Sequence, residues 1–170
     1  TCEFDRDEAE RCAQEVTEKA VEITRDRANI LPLKLNKNSK IAHVVLHSSW
    51  VTDLSCTESV TKELSQYATV ETFVDPGGNA ILALAKSGDY DYILCSVLEQ
   101  GCYGLNTAKL CGPAARNMMC GWMRYKTPVV FIGYHNYRFG DTYKASVDTI
   151  INTYGVTKYT GKAVVDKLIK

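Results

Sequence analysis

Short apolar runs alternate with helix-period patterns through most of this chain. The clearest run is Val129-Val130-Phe131-Ile132, set between Thr127-Pro128 and Gly133. It is too short for a helix. It fits a strand covered on both faces, as in a parallel sheet between helix layers. Pro128 suits the first position of a strand, which can spare a ladder donor. Gly133 is expected to end the run. Comparable runs occupy residues 41–47, 70–74, 92–97 and 147–154. The second of these alternates apolar with polar, the mark of a half-buried strand.

Between the runs the period changes. Ala9, Cys12, Ala13, Val16, Ala20 and Ile23 recur at spacings of three and four, so an opening helix is predicted to carry one apolar stripe. Asp5, Asp7 and Glu8 suit its N-terminus. Asn29-Ile30-Leu31-Pro32-Leu33 breaks the pattern, because Pro32 forbids helix continuation. A second helix is predicted over residues 58–67, capped by Ser55 or Thr57. Asp75-Pro76-Gly77-Gly78-Asn79 is a turn, and a short helix follows over residues 80–85. Residues 98–112 read as a loop, and Pro113 sits in the first turn of a helix running to Tyr125. The last helix is predicted over residues 158–169.

This alternation defines an α/β protein: a three-layer sandwich around a mostly parallel, five- to six-stranded sheet. Right-handed crossovers restrict the topology, and a flavodoxin-like strand order of 2-1-3-4-5 is expected. Residues 1–34 read as a linker helix and extended segment packing on the sandwich, and residues 35–170 as the sandwich itself. Ligand sites in such sheets collect at the strand exits, above all where the strand order reverses. That reversal lies between the exits of the first and third strands. One exit carries His47, Ser48, Ser49 and Trp50, and the other Leu98, Glu99 and Gln100.

Composition changes this picture little. The chain has 170 residues, enough for one domain with a real core. Twenty basic residues balance twenty acidic ones, which gives no general attraction to nucleic acid or to an anionic membrane. No apolar run reaches the roughly 20 residues of a membrane helix. The seven cysteines are odd in number and include no C-x-x-C pair. They read as reduced thiols, several of them buried, and favour a cytoplasmic setting. No metal and no cofactor are expected.

The candidate chemistry sits at the exits. His47 and His135 both follow strands, where a histidine serves as acid–base group or as a hydrogen-bonded structural residue. Ser48 and Trp50 share the exit of His47 and Asn136 that of His135, the ends where a small-molecule ligand would bind. Tyr134 and Tyr137 would either stack on such a ligand or close the top of the core. Glu99 offers a general acid, but glycoside hydrolysis normally needs a second carboxylate. Cys95-Ser96 lies near a strand end without the glycines of a nucleophile elbow, so a buried cysteine is the better account. The Asp75–Asn79 stretch lacks the Walker lysine and the G-x-G-x-x-G pattern, and reads as an ordinary turn rather than an anion cradle.

Four stretches together resemble the C-terminal α/β sandwich domain of family 3 glycoside hydrolases, in particular the bacterial β-N-acetylhexosaminidase branch. Ala20-Val21-Glu22-Ile23-Thr24-Arg25-Asp26, followed by Asn29-Ile30-Leu31-Pro32-Leu33, is similar to the helix and L-P-L segment that lead into that domain. Residues 40–46 resemble its first strand. Thr127-Pro128-Val129-Val130-Phe131-Ile132-Gly133 resembles its T-P-V-V-V strand, and Val147-Asp148-Thr149-Ile150-Ile151-Asn152-Thr153-Tyr154 its V-D-A-Y-L-x-x-Y run. Where the family has G-N-P-Y, this chain has His135-Asn136-Tyr137-Arg138, so only Asn136 carries over.

The resemblance implies an accessory domain. In that branch the nucleophilic Asp and the His–Asp acid–base pair belong to a preceding barrel with a K-H-F-P-G-H-G-type signature, which this chain lacks. No catalytic residue is therefore transferred. The implied partner is a catalytic barrel of the same parent protein, with carbohydrate as ligand and no role for nucleic acid or membrane. His47, Ser48, Trp50, Glu99, His135 and Asn136 become candidate substrate-binding residues. The alternatives are a stand-alone small-molecule-binding module with its pocket at the strand exits, or a small hydrolase using Cys95 or Glu99.

Overall fold

A computed structural model describes residues 5–99, 121, 125–134 and 147–170. In chain order the elements are α1 (Arg6–Ala20), β1 (Glu22–Asp26), β2 (Lys40–His47), α2 (Ser55–Leu64), β3 (Thr69–Val74), α3 (Gly78–Ser87), β4 (Tyr92–Leu98), β5 (Val129–Tyr134), β6 (Thr149–Asn152) and α4 (Thr160–Ile169). The predicted loop after residue 99 and most of the helix predicted from Pro113 lie outside the described residues.

The strands form one sheet in the order β1-β6-β5-β4-β2-β3. Strands β2 to β6 are mutually parallel. Counted alone as one to five, they run 2-1-3-4-5, the flavodoxin-like order. Strand β1 adds an antiparallel edge beside β6, from Glu22↔Asn152 to Asp26↔Thr149, with an irregularity between Ile23 and Arg25.

Helices cover both faces, so the buried positions of the central strands are apolar apart from His43 and Ser96. On one face Ile41, Val45, Leu94, Leu98, Val130 and Ile132 pack under Val60 and Leu64 of α2 and Val164 and Leu168 of α4. On the other, Val44, Leu46, Ile93, Val97 and Phe131 meet Ile81 and Ala85 of α3. Burial on this scale is the main driving force for the fold. Helices α2 and α4 approach closely at Gly161. A Cβ there would lie 2.6 Å from Ser59 Cβ and 2.8 Å from the Ser59 backbone carbon.

The N-terminal region corrects the sequence reading. The helix was expected to continue past Ile23, but it ends at Ala20, and Val21 is already extended. Residues 22–26 gain a ladder to β6 instead. The Asp26 carboxylate then holds the following turn, accepting from the backbone N–H groups of Ile30 (3.1 Å) and Leu31 (3.0 Å) and from the Thr149 hydroxyl (2.9 Å). Nor is the predicted stripe buried: Val16 is 66% exposed and Cys12 is exposed. Helix α1 docks through polar groups. Buried Thr17 meets the Thr157 hydroxyl at 2.8 Å, and the Glu10 carboxylate takes Lys158 (2.5 Å) and the Tyr159 hydroxyl.

Smaller boundary differences have local causes. Helix α1 is capped by Asp5, whose Oδ1 accepts from Asp7 N–H (3.0 Å) and Glu8 N–H (3.1 Å). Helix α2 starts at Ser55, earlier than predicted. Neither Ser55 nor Thr57 is its cap; Asp53 Oδ1 takes the Ser55 N–H at 2.9 Å. Strand β5 runs through Gly133 to Tyr134, because Gly133 still pairs with Val97 and Asn152.

Candidate functional site

The parallel strands all point their C-terminal ends to one side. There β2 delivers His47, β3 delivers Asp75, β4 delivers Glu99 and β5 delivers Tyr134. The strand order reverses between β2 and β4. At that point the ladder His47↔Leu98 is extended by Ser48 N–H donating to the Leu98 carbonyl at 3.0 Å. Ser48 is buried, and its carbonyl accepts from Val51 N–H at 2.9 Å. This turn carries Trp50 outward, 65% exposed. Glu99, next after β4, is fully buried and partnered. The structure thus brings His47, Ser48 and Glu99 to the adjoining ends of β2 and β4, with Trp50 exposed beside them. His135 and Asn136 lie outside the described residues.

His47 is held on both sides. Its Nδ1–H donates to the Ser48 carbonyl (3.0 Å), and Nε2 lies 3.0 Å from Asp75 Oδ2. Asp75 Oδ1 also accepts from the His47 backbone N–H at 3.2 Å. Both ring nitrogens therefore already face acceptors. As placed, the imidazole ties the β2 exit to the β3 exit. Asp75 adopts φ +42°, a left-handed conformation unfavourable for a residue with a Cβ. Its sequence context reads as a turn alone; the cue to its second role is its place at the exit of the strand next to His47.

A polar chain that the sequence reading missed runs between the sheet and α2. His43 Nδ1 lies 2.7 Å from Thr61 Oγ1 and Nε2 lies 2.7 Å from Ser96 Oγ. Ser96 Oγ in turn lies 3.5 Å from the Tyr134 hydroxyl, and Thr61 Oγ1 3.1 Å from Thr72 Oγ1. His43, Ser96 and Tyr134 are completely buried. Burial disfavours the imidazolium and lowers the His43 pKa to about 4. The same desolvation pushes the Tyr134 phenol up. Neutral His43 therefore satisfies two hydroxyl partners in a site that solvent does not reach. The available signal was two polar residues, His43 and Ser96, each interrupting an apolar run and facing the same side.

The nucleophile reading finds little support in this arrangement. Cys95 is fully buried, and burial pushes its thiol up, away from the reactive thiolate. Cys56 is likewise buried and raised to about 11. Ser96 does contact a histidine, but both groups are sealed under α2. Among the described residues no group of three His, Cys, Asp or Glu side chains is placed to hold a metal ion, and no helix is long and apolar enough to cross a membrane.

Solved structures of sugar-processing enzymes share this fold. A beta-glucoside phosphorylase, BglX, matches 95% of this chain at TM-score 0.70 and 19% identity, over 29% of its own length. A fungal multi-domain GH3 beta-N-acetylglucosaminidase with a GCN5-related glucosamine N-acetyltransferase region matches 98% at TM-score 0.69 and 16% identity, over 19% of its length. The beta-glucosidase of Listeria innocua, solved with isofagomine, matches 96% at TM-score 0.62 and 15% identity, over 25% of its length. The likeness at this identity is one of fold. The chain spans less than a third of each of these proteins. No protein-family model and no curated protein sequence matches it.

Proposed function

We propose that this chain is the accessory, non-catalytic α/β domain of a family 3 glycoside hydrolase of the β-N-acetylglucosaminidase or β-glucosidase kind. One observation carries the reading: nearly the whole chain superposes on a minor part of several enzymes that process β-glucosides or β-N-acetylglucosaminides. A domain with that relation to its neighbours works by packing on a larger catalytic unit, here a barrel of the same parent protein. Residues 1–34 are the linker, which lends β1 to the edge of the sheet, and residues 35–170 form the rest of the sandwich. The strand exits then form one wall of the substrate cleft. Exposed Trp50 supplies an aromatic face for a sugar ring. His47 and buried Ser48 and Glu99 are the further sugar-binding candidates among the described residues, and His135 and Asn136 are candidates from the sequence alone.

The test is the full-length parent, assayed on nitrophenyl β-glucoside and nitrophenyl N-acetyl-β-glucosaminide. Hydrolysis of either is expected, with Trp50→Ala raising KM more than it lowers kcat. An intact, folded parent inactive on both would overturn the reading. A second reading, a stand-alone small-molecule-binding module, draws on the same exposed Trp50 beside the topological switch point. Saturable quenching of tryptophan fluorescence by a free sugar in the isolated chain, lost in Trp50→Phe, would favour it.

A further inference from the structure

The two edges of the sheet are built differently. Strand β1 closes one edge with three charged residues in five, Glu22, Arg25 and Asp26, and with a break in register. Charges and bulges are the usual guards against edge-to-edge pairing. Strand β3 closes the other edge with Thr69-Val70-Glu71-Thr72-Phe73-Val74. It has no proline and one charge, and its register to β2 is unbroken from Lys40↔Thr69 to Val45↔Val74. The Glu71 carboxylate is engaged by the Tyr90 hydroxyl at 2.6 Å.

The direction of the free backbone groups follows from two hydrogen bonds. Thr69 N–H donates to the Ser39 carbonyl (2.9 Å) and Asp75 N–H to the Val45 carbonyl (2.8 Å). Odd-numbered residues of β3 therefore face β2. Even-numbered residues turn their N–H and C=O groups outward. Val70, Thr72 and Val74 present this row, and Val74 is 52% exposed. Among the described residues no backbone hydrogen bond reaches it from outside.

We propose that this edge pairs with the same edge of a second copy of the chain, antiparallel, about a two-fold axis at Thr72. The sequence selects that register. An axis at Thr72 sets Val70 opposite Val74, Thr72 opposite Thr72, and Glu71 opposite Phe73. Each outward N–H then meets an outward carbonyl, and β-branched residues face each other. An axis at Glu71 would oppose two carboxylates directly, and one at Phe73 would set Glu71 against Asp75. An axis at Val70 would leave Val74 unpaired. The interface is isologous and closes at two subunits, so it forms a dimer rather than a fibre. The inference is independent of the enzymatic reading above.

Sedimentation equilibrium on this chain, wild type against Val74→Lys and Thr72→Pro, tests it. Lysine at 74 changes an exposed side chain. Proline at 72 removes an N–H outside the β2 ladder, which edge strands tolerate. A wild-type dimer weakened at least about tenfold by Val74→Lys is expected, since two valine pairs are lost per dimer. Exchange of the Val70, Thr72 and Val74 amides should slow as concentration rises. A wild type still monomeric at about 100 μM, where a Kd near the micromolar range would give mostly dimer, overturns the proposal. So does a dimer indifferent to Val74→Lys. If Thr72→Pro does not fold, the lysine variant and the amide exchange decide.

Discussion

His43 Nε2 lies 2.7 Å from the Ser96 hydroxyl, at the centre of a polar chain that joins β2, β4, β5 and α2 in an otherwise apolar layer. The arrangement is stable because the imidazole is neutral and both its nitrogens are partnered. Buried polar groups satisfied in this way fix one arrangement of a core, whereas an unpartnered one costs about 1–3 kcal/mol.

Acid should therefore loosen this protein through His43. Its folded pKa of about 4 lies below its ordinary value of 6.5, so the unfolded chain takes the proton first. The stabilisation is complete above about pH 6.5 and is lost as pH falls from there towards 4. The linked loss is about 3 kcal/mol, since each tenfold difference in proton affinity between the folded and unfolded chain is worth about 1.4 kcal/mol. Urea unfolding between pH 7.5 and 4 should show wild type losing more stability than His43→Gln. Parallel pH slopes for the two would remove His43 from the account.

The contact between α2 and α4 depends on the absence of a side chain at 161. With Ser59 Cβ 2.6 Å from where a methyl would sit, Gly161→Ala must push the two helices apart. Overpacking of this kind costs about 1–3 kcal/mol, and the gain in helix propensity, about 1 kcal/mol, offsets only part of it. Denaturant titration should show a net loss. A stabilised variant would mean that the helices separate freely here.

His47 and Asp75 pose a test of strain against tethering. Asp75→Ala loses the carboxylate and keeps a Cβ at φ +42°. Asp75→Gly loses the same carboxylate but relieves the backbone by about 1 kcal/mol. The glycine variant should be the more stable of the two, by about that amount, in equilibrium unfolding. Equal stabilities would show that the backbone at 75 readjusts when the tether is cut.

Thiol chemistry should separate the cysteines by burial. Cys12 is exposed, while Cys56 and Cys95 are buried with their thiols held protonated. Brief iodoacetamide treatment at pH 8, read by peptide mass spectrometry, should modify Cys12 and spare the other two until the protein is denatured. Early labelling of Cys95 in the native protein would reopen the nucleophile reading.

The parallel strands were legible because burial on both faces leaves an unbroken apolar run, as in Val129-Val130-Phe131-Ile132. Their flavodoxin-like order followed from chain alternation and crossover handedness. Strand β1 was not legible. An edge strand tolerates charge, so Glu22-Ile23-Thr24-Arg25-Asp26 reads as the tail of the preceding helix. Residues at strand ends could be placed by counting along the runs, which located His47, Ser48 and Glu99 at the exits of β2 and β4. What joins one exit to another could not be counted. Asp75 reaches His47 only because β3 lies beside β2, and the His43–Ser96 contact needs the sheet order as well.

The proposal to be tested first is that this chain is a non-catalytic domain of a sugar-processing enzyme. The most direct measurement is turnover of nitrophenyl N-acetyl-β-glucosaminide and nitrophenyl β-glucoside by the purified chain alone. No release of nitrophenol above buffer is predicted, from a protein shown to be folded by circular dichroism. Clear turnover, abolished by Glu99→Gln, would contradict the account and place an active site within this chain.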